Sequence, residues 1–89
     1  SYPNYFMSKN KIILNEGIDV DDVMNTMAKR YVSEKISIID GVKIDFEKEW
    51  VHLRKSNTES IIRVYTEAMS KEKASALAQR FVSEINSLL

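Results

Sequence analysis

Cysteine is absent, which excludes disulfides and thiolate-bound metals and leaves the redox compartment unreadable from cysteine usage. A single histidine rules out a histidine-rich metal centre. No apolar run approaches the ~20 residues that a membrane-spanning helix needs. The first residues lack the basic-then-apolar pattern of a signal peptide, and none is expected. An excess of either charge is lacking too, since 13 basic residues balance 13 acidic ones. That balance argues against broad capture of nucleic acid or an anionic membrane, because both need a basic excess on one face. A local basic site stays open. No internal repeat, low-complexity stretch or second-domain boundary interrupts the chain. Its 89 residues make one domain with one modest core.

What is present is a clear periodic pattern. Residues 1–10 mix aromatic and polar side chains and read as a linker or an entering strand. A short strand is expected over Lys11 to Leu14, followed by a turn at Asn15, Glu16 and Gly17. Val20, Val23, Met24, Met27, Ala28, Tyr31 and Val32 then recur at helical spacing with one apolar face. Asp19, Asp21 and Asp22 stand at its start, where carboxylates cap free N–H groups and oppose the helix dipole. That role is preferred over a metal cluster. A strand follows at 36–39, then a hairpin turn at Asp40 and Gly41. Val42, Ile44 and Phe46 alternate with Lys43 and Asp45. The next strand spans 50–54, with Val51 and Leu53 on one side and Trp50, His52 and Arg54 on the other. The last strand spans 61–68. Ile62, Val64 and Ala68 share one face there, and Arg63, Tyr65 and Glu67 share the other. Ser70 caps a final helix whose apolar face includes Ala74, Leu77, Phe81 and Ile85.

This order predicts an α+β fold: an antiparallel sheet of four to five strands with two helices on one face, a two-layer sandwich. The uncovered face would carry Trp50, His52, Arg54, Arg63, Tyr65 and Glu67 and be the wetter one. His52, alone on that face, reads as a packing or hydrogen-bonding residue.

The polar run after Arg54 concentrates donors without a glycine. Arg54 offers a planar guanidinium, Lys55 an ammonium, Ser56 and Thr58 hydroxyls, and Asn57 an amide. Backbone N–H groups of such a loop can converge as an anion-binding nest. A phosphate monoester, with nearly two negative charges and three acceptor oxygens, suits that set. Glu59 works against an anion unless it pairs with Arg63 or another base. From the residues alone, a solvated hairpin loop is the other reading.

The stretch from Trp50 to Ala68 resembles the C-terminal domain signature of the α-D-phosphohexomutases. The resemblance rests on Trp50, Val51, Arg54, Ser56, Asn57, Thr58, Glu59, Arg63, Tyr65, Glu67 and Ala68, with Asp40 and Gly41 preceding. Residues 2–14 resemble the hinge and first strand of that domain. The resemblance implies that 1–10 is a hinge from a preceding domain and that 11–89 is a phosphate-binding C-terminal domain with a TATA-box-binding-protein-like fold. It implies a parent that interconverts 1-phospho and 6-phospho sugars through a phosphoserine and a bisphosphorylated intermediate, with magnesium at the phosphoserine. Arg54, Ser56, Asn57 and Thr58 match the phosphate-gripping positions, and Glu59 and Arg63 match positions taken to brace the loop.

Lys55 and Ser60 replace prolines of the usual pattern. Losing both frees the loop, and Lys55 offers a charge near the phosphate in compensation. No catalytic residue, metal ligand or cofactor is expected within these 89 residues, so the chain alone should be inactive. The expected partners are a phosphorylated hexose or hexosamine and the preceding domains of the parent, with no nucleic acid or membrane, in the cytoplasm. The alternative is a small binding module that uses the open sheet face for RNA or protein.

Overall fold

The computed structural model describes residues 5–38, 41–56 and 58–89. Alternating and helical apolar periods resolve into seven elements. In chain order they are β1 (Phe6–Ile13), α1 (Val20–Arg30), β2 (Lys35–Ser37), β3 (Val42–Asp45), β4 (Trp50–Lys55), β5 (Ile61–Ala68) and α2 (Lys71–Asn86). The strands form one antiparallel sheet in the order β1-β5-β4-β3-β2. The inward positions Ile12, Ile44, Val51, Leu53, Ile62 and Val64 share one face, since directly paired residues point the same way. They meet Met24 and Met27 of α1 and Leu77, Phe81 and Ile85 of α2 in a single core. Both helices therefore cover the same face, as expected for a two-layer α+β sandwich.

Capping follows the sequence. Asp19 Oδ1 accepts the Asp22 N–H at 3.2 Å, and Ser70 Oγ accepts the Lys73 N–H at 3.1 Å. Thr66, fully buried, donates its hydroxyl to the Ala74 carbonyl at 2.8 Å and ties β5 to the first turn of α2. At the other end, Tyr31 donates to Glu84 Oε2 at 2.6 Å and accepts from Arg80 at 3.0 Å. The Arg80 guanidinium lies 5.6 Å from the Tyr31 ring centroid and 5.5 Å from those of Phe46 and Phe81. Burial, then the Glu84 hydrogen bond, push the Tyr31 phenol above its ordinary pKa.

Several boundaries differ from the sequence expectation. β1 begins at Phe6, because residues 6–10 continue pairing along β5 up to Ala68; the entering-strand alternative describes them. β2 covers Lys35–Ser37 rather than 36–39, and Ile39 and Asp40 lie outside the described residues, as do residues 1–4. Val32 was expected on the apolar face of α1, yet it is 77% exposed because the helix ends at Arg30. Glu67 was expected on a wet face and is buried. Its direct cross-strand partner Trp50 covers it and donates the indole N–H at 3.2 Å.

Candidate functional site

The five residues 56–60 join β4, the central strand of the sheet, to its neighbour β5. Three backbone or side-chain ties fix this loop. The Ser56 N–H donates to the Ile61 carbonyl at 3.3 Å and closes the hairpin. The Leu14 N–H donates to the Ser60 carbonyl at 2.8 Å and pins the loop to the end of β1. Glu59 Oε1 lies 4.0 Å from the Arg63 guanidinium, a loose ion pair at the stem. The pairing that the polar run needed in order to tolerate Glu59 is thus in place.

Within the loop the donors converge. The N–H groups of Thr58 and Glu59 both point to Ser56 Oγ, at 3.2 and 3.1 Å. Thr58 Oγ1 stands 3.4 Å from the same oxygen. Two adjacent amides form a small nest around the Ser56 oxygen, with the Thr58 hydroxyl within hydrogen-bond reach of it. In this conformation the Ser56 hydroxyl satisfies both amides, the position an anionic oxygen would compete for. Arg54, exposed, ends the outward-facing row of β4 next to the loop. The structure therefore brings Arg54, Ser56 and Thr58 to one end of the sheet. Asn57 lies outside the described residues.

Lys55 does not join them. As the next residue on β4 it faces the helical layer, where its Nζ pairs with Asp21 Oδ1 of α1 at 2.7 Å. Strand alternation puts Lys55 on this side in the present conformation. The pair borders a cleft of about 550 Å³ between α1 and the β3–β4 hairpin, lined also by Met24, Asn25, Lys29, Ile38, Val42 and Arg54. Gly41 also lines it, with φ +84°, and a Cβ there would collide with the Leu53 carbonyl oxygen.

The open face is not electrically neutral, although the chain is. Lys11, Arg63 and Arg54 are direct neighbours across β1, β5 and β4. Lys9, Tyr65, His52 and Lys43 form the next row. With Lys35, the outward strand positions hold six cations against the two acids Asp45 and Glu67. The zero net charge conceals this, because a sum says nothing about segregation. The alternation of Lys9 and Lys11 was the signal, hidden by starting β1 too late. Among the described residues no group of three or more His, Asp or Glu is placed to hold a metal ion.

The sequence pattern described as phosphoglucomutase/phosphomannomutase, C-terminal domain, matches residues 10–84. A phosphoglucosamine mutase of Methanococcus maripaludis (strain C5) is 32% identical over 85 residues, covering 93% of this chain and 19% of the relative. A phosphoglucosamine/phosphogalactosamine mutase of Sulfurisphaera tokodaii is 35% identical over 77 residues, covering 84% and 17%. A phosphoglucomutase/phosphomannomutase of Thermococcus kodakarensis is 55% identical over 40 residues, covering 45% and 9%. The chain thus spans less than a fifth of the length of each of these three relatives. A two-layer sheet with a donor-lined loop between its central strands, matched over residues 10–84, belongs to the phosphoglucomutase/phosphomannomutase family as its C-terminal domain.

Proposed function

We propose that this chain is the substrate-phosphate-binding domain of a phosphohexomutase that interconverts 1-phospho and 6-phospho sugars. In this reading residues 54–58 hold the phosphate that is not being transferred, and a phosphoserine elsewhere in the parent exchanges the other. The observation that carries it is the convergence of the Thr58 and Glu59 amides on a single oxygen beside Thr58 Oγ1. A phosphate oxygen replaces the Ser56 hydroxyl as the shared acceptor, and Ser56 then turns to donate. Arg54 supplies two parallel N–H groups to further oxygens. Glu59 and Arg63 brace the stem without touching the ligand. The sugar is a hexose or hexosamine. Magnesium, which the family implies at the phosphoserine, would be held by other parts of the parent, and residues 1–10 would lead in from its preceding domain. The chain alone turns nothing over.

Each charge-assisted hydrogen bond contributes roughly 1.5–3 kcal/mol. Association opposes this with at least ~4 kcal/mol, and an open loop is screened by solvent. Binding of a phosphosugar to the chain alone is therefore weak, near the millimolar level that ~4 kcal/mol represents. An NMR titration with glucose 6-phosphate is expected to move the amides of residues 54–60 saturably. In the parent enzyme, Arg54→Ala is expected to lower turnover by roughly a hundredfold or more, because misplaced substrate loses alignment for transfer. Unmoved loop amides at saturating ligand, together with unchanged turnover, would refute the assignment.

A further inference from the structure

The open face holds a second cluster of donors that the loop does not use. Lys11 and Arg63 face each other directly across β1 and β5, and Lys9 faces Tyr65 one row on. These four residues, with Asn10, line a depression of about 280 Å³. Like charges placed directly opposite each other on a sheet repel and destabilise the pairing. Here the repulsion runs through three consecutive strands, because Arg54 faces Arg63 from the far side. Glu59, 4.0 Å from Arg63, relieves it in part. Among the described residues no carboxylate lies within ion-pair reach of Lys9 or Lys11. The depression is lined by donors and a phenol, with no acid.

The geometry points to a second anion site here, formed by Lys9, Lys11 and Arg63 beside the Tyr65 ring, for a tetrahedral dianion of the phosphate class. A dianion among the three side chains converts their repulsion into attraction. Arg63 grips two oxygens through its planar fork, and the lysines act as point charges around the rest. Three cations on two adjacent strands, about 4.8 Å apart, focus the field on one spot although the molecule has no net charge. The site is separate from the loop: it lies on β1 and β5, while the nest lies on the β4–β5 connection. Its occupant is inorganic phosphate or a phosphate borne on a sugar.

The test is an NMR titration of the protein with inorganic phosphate, with ionic strength held constant by sodium chloride. Saturable shifts are expected at Lys9–Lys11 and Arg63–Tyr65, fitting a Kd distinct from that of the loop amides. Lys9→Gln/Lys11→Gln should weaken the patch at least tenfold and change the loop less than twofold. A parallel titration with glucose 6-phosphate identifies the source: matching patch shifts assign a sugar-borne phosphate, and shifts with inorganic phosphate alone assign the free ion. Patch shifts that fail to saturate, that chloride reproduces, or that survive the double substitution would overturn the site. The lysines would then only guard the edge strand against pairing. Silence at the loop with a responsive patch would instead reject the proposed function and leave this site standing.

Discussion

Single residues show most directly how far local chemistry dictates geometry. Gly41, just before β3, has φ +84°, a conformation that side-chain-bearing residues rarely adopt, and its missing Cβ leaves room for the Leu53 carbonyl. Gly41→Ala is expected to destabilise the protein by more than about 1 kcal/mol, from both the backbone strain and the collision. Urea unfolding of the two proteins measures it, and equal midpoints would show that the hairpin shifts to admit a methyl group. The glycine was legible in the sequence as a turn signal; the collision was not, because it involves a strand a dozen residues away. Lys55 gives the same lesson in reverse. Its residue type said nothing of the partner, and strand alternation pairs it with Asp21 of α1.

The elements were easier to read where one signal dominated. α2 has a Ser70 cap and a full apolar stripe, and the structure reproduces both. Ser70→Ala is expected to destabilise the protein by about 1 kcal/mol, since one free amide of the first turn loses its acceptor. Thermal or urea unfolding should report that loss, and no change would mean that water substitutes for the hydroxyl. β1 was harder, because its first half, Phe6–Asn10, alternates poorly: Phe6 and Met7 are both exposed. Only the partner strand, eight residues long in register, defines its true extent. Thr66 was missed on the buried face of β5 for a related reason. A hydroxyl breaks an apolar pattern, and its acceptor, the Ala74 carbonyl, belongs to another element.

At the scale of the molecule, the two helices of the covering layer are joined at the Tyr31 end by a shared network of Glu84, Arg80 and Arg30. The Tyr31 phenol is held above its ordinary pKa, first by burial and then by the Glu84 hydrogen bond. The folded state thus keeps a proton that the unfolded chain releases near pH 10. This contribution to stability is complete below that value and is lost as pH rises through the folded pKa. Tyr31→Phe should flatten the decline of stability above about pH 10 relative to the parent. Denaturant midpoints measured from pH 8 to 11 would show it; parallel curves would place the phenol outside the transition. Layer order and loop position were legible because they follow from periodicity. Charge segregation and the buried Glu67 were not, because they depend on which strand lies beside which.

The sheet order has one more consequence. The donor-bearing loop grows from two interior strands, each flanked on both sides, and is stitched to the end of β1 as well. In the proposed function, any approach of this loop to a phosphosugar therefore carries the ends of β1, β4 and β5 along with it.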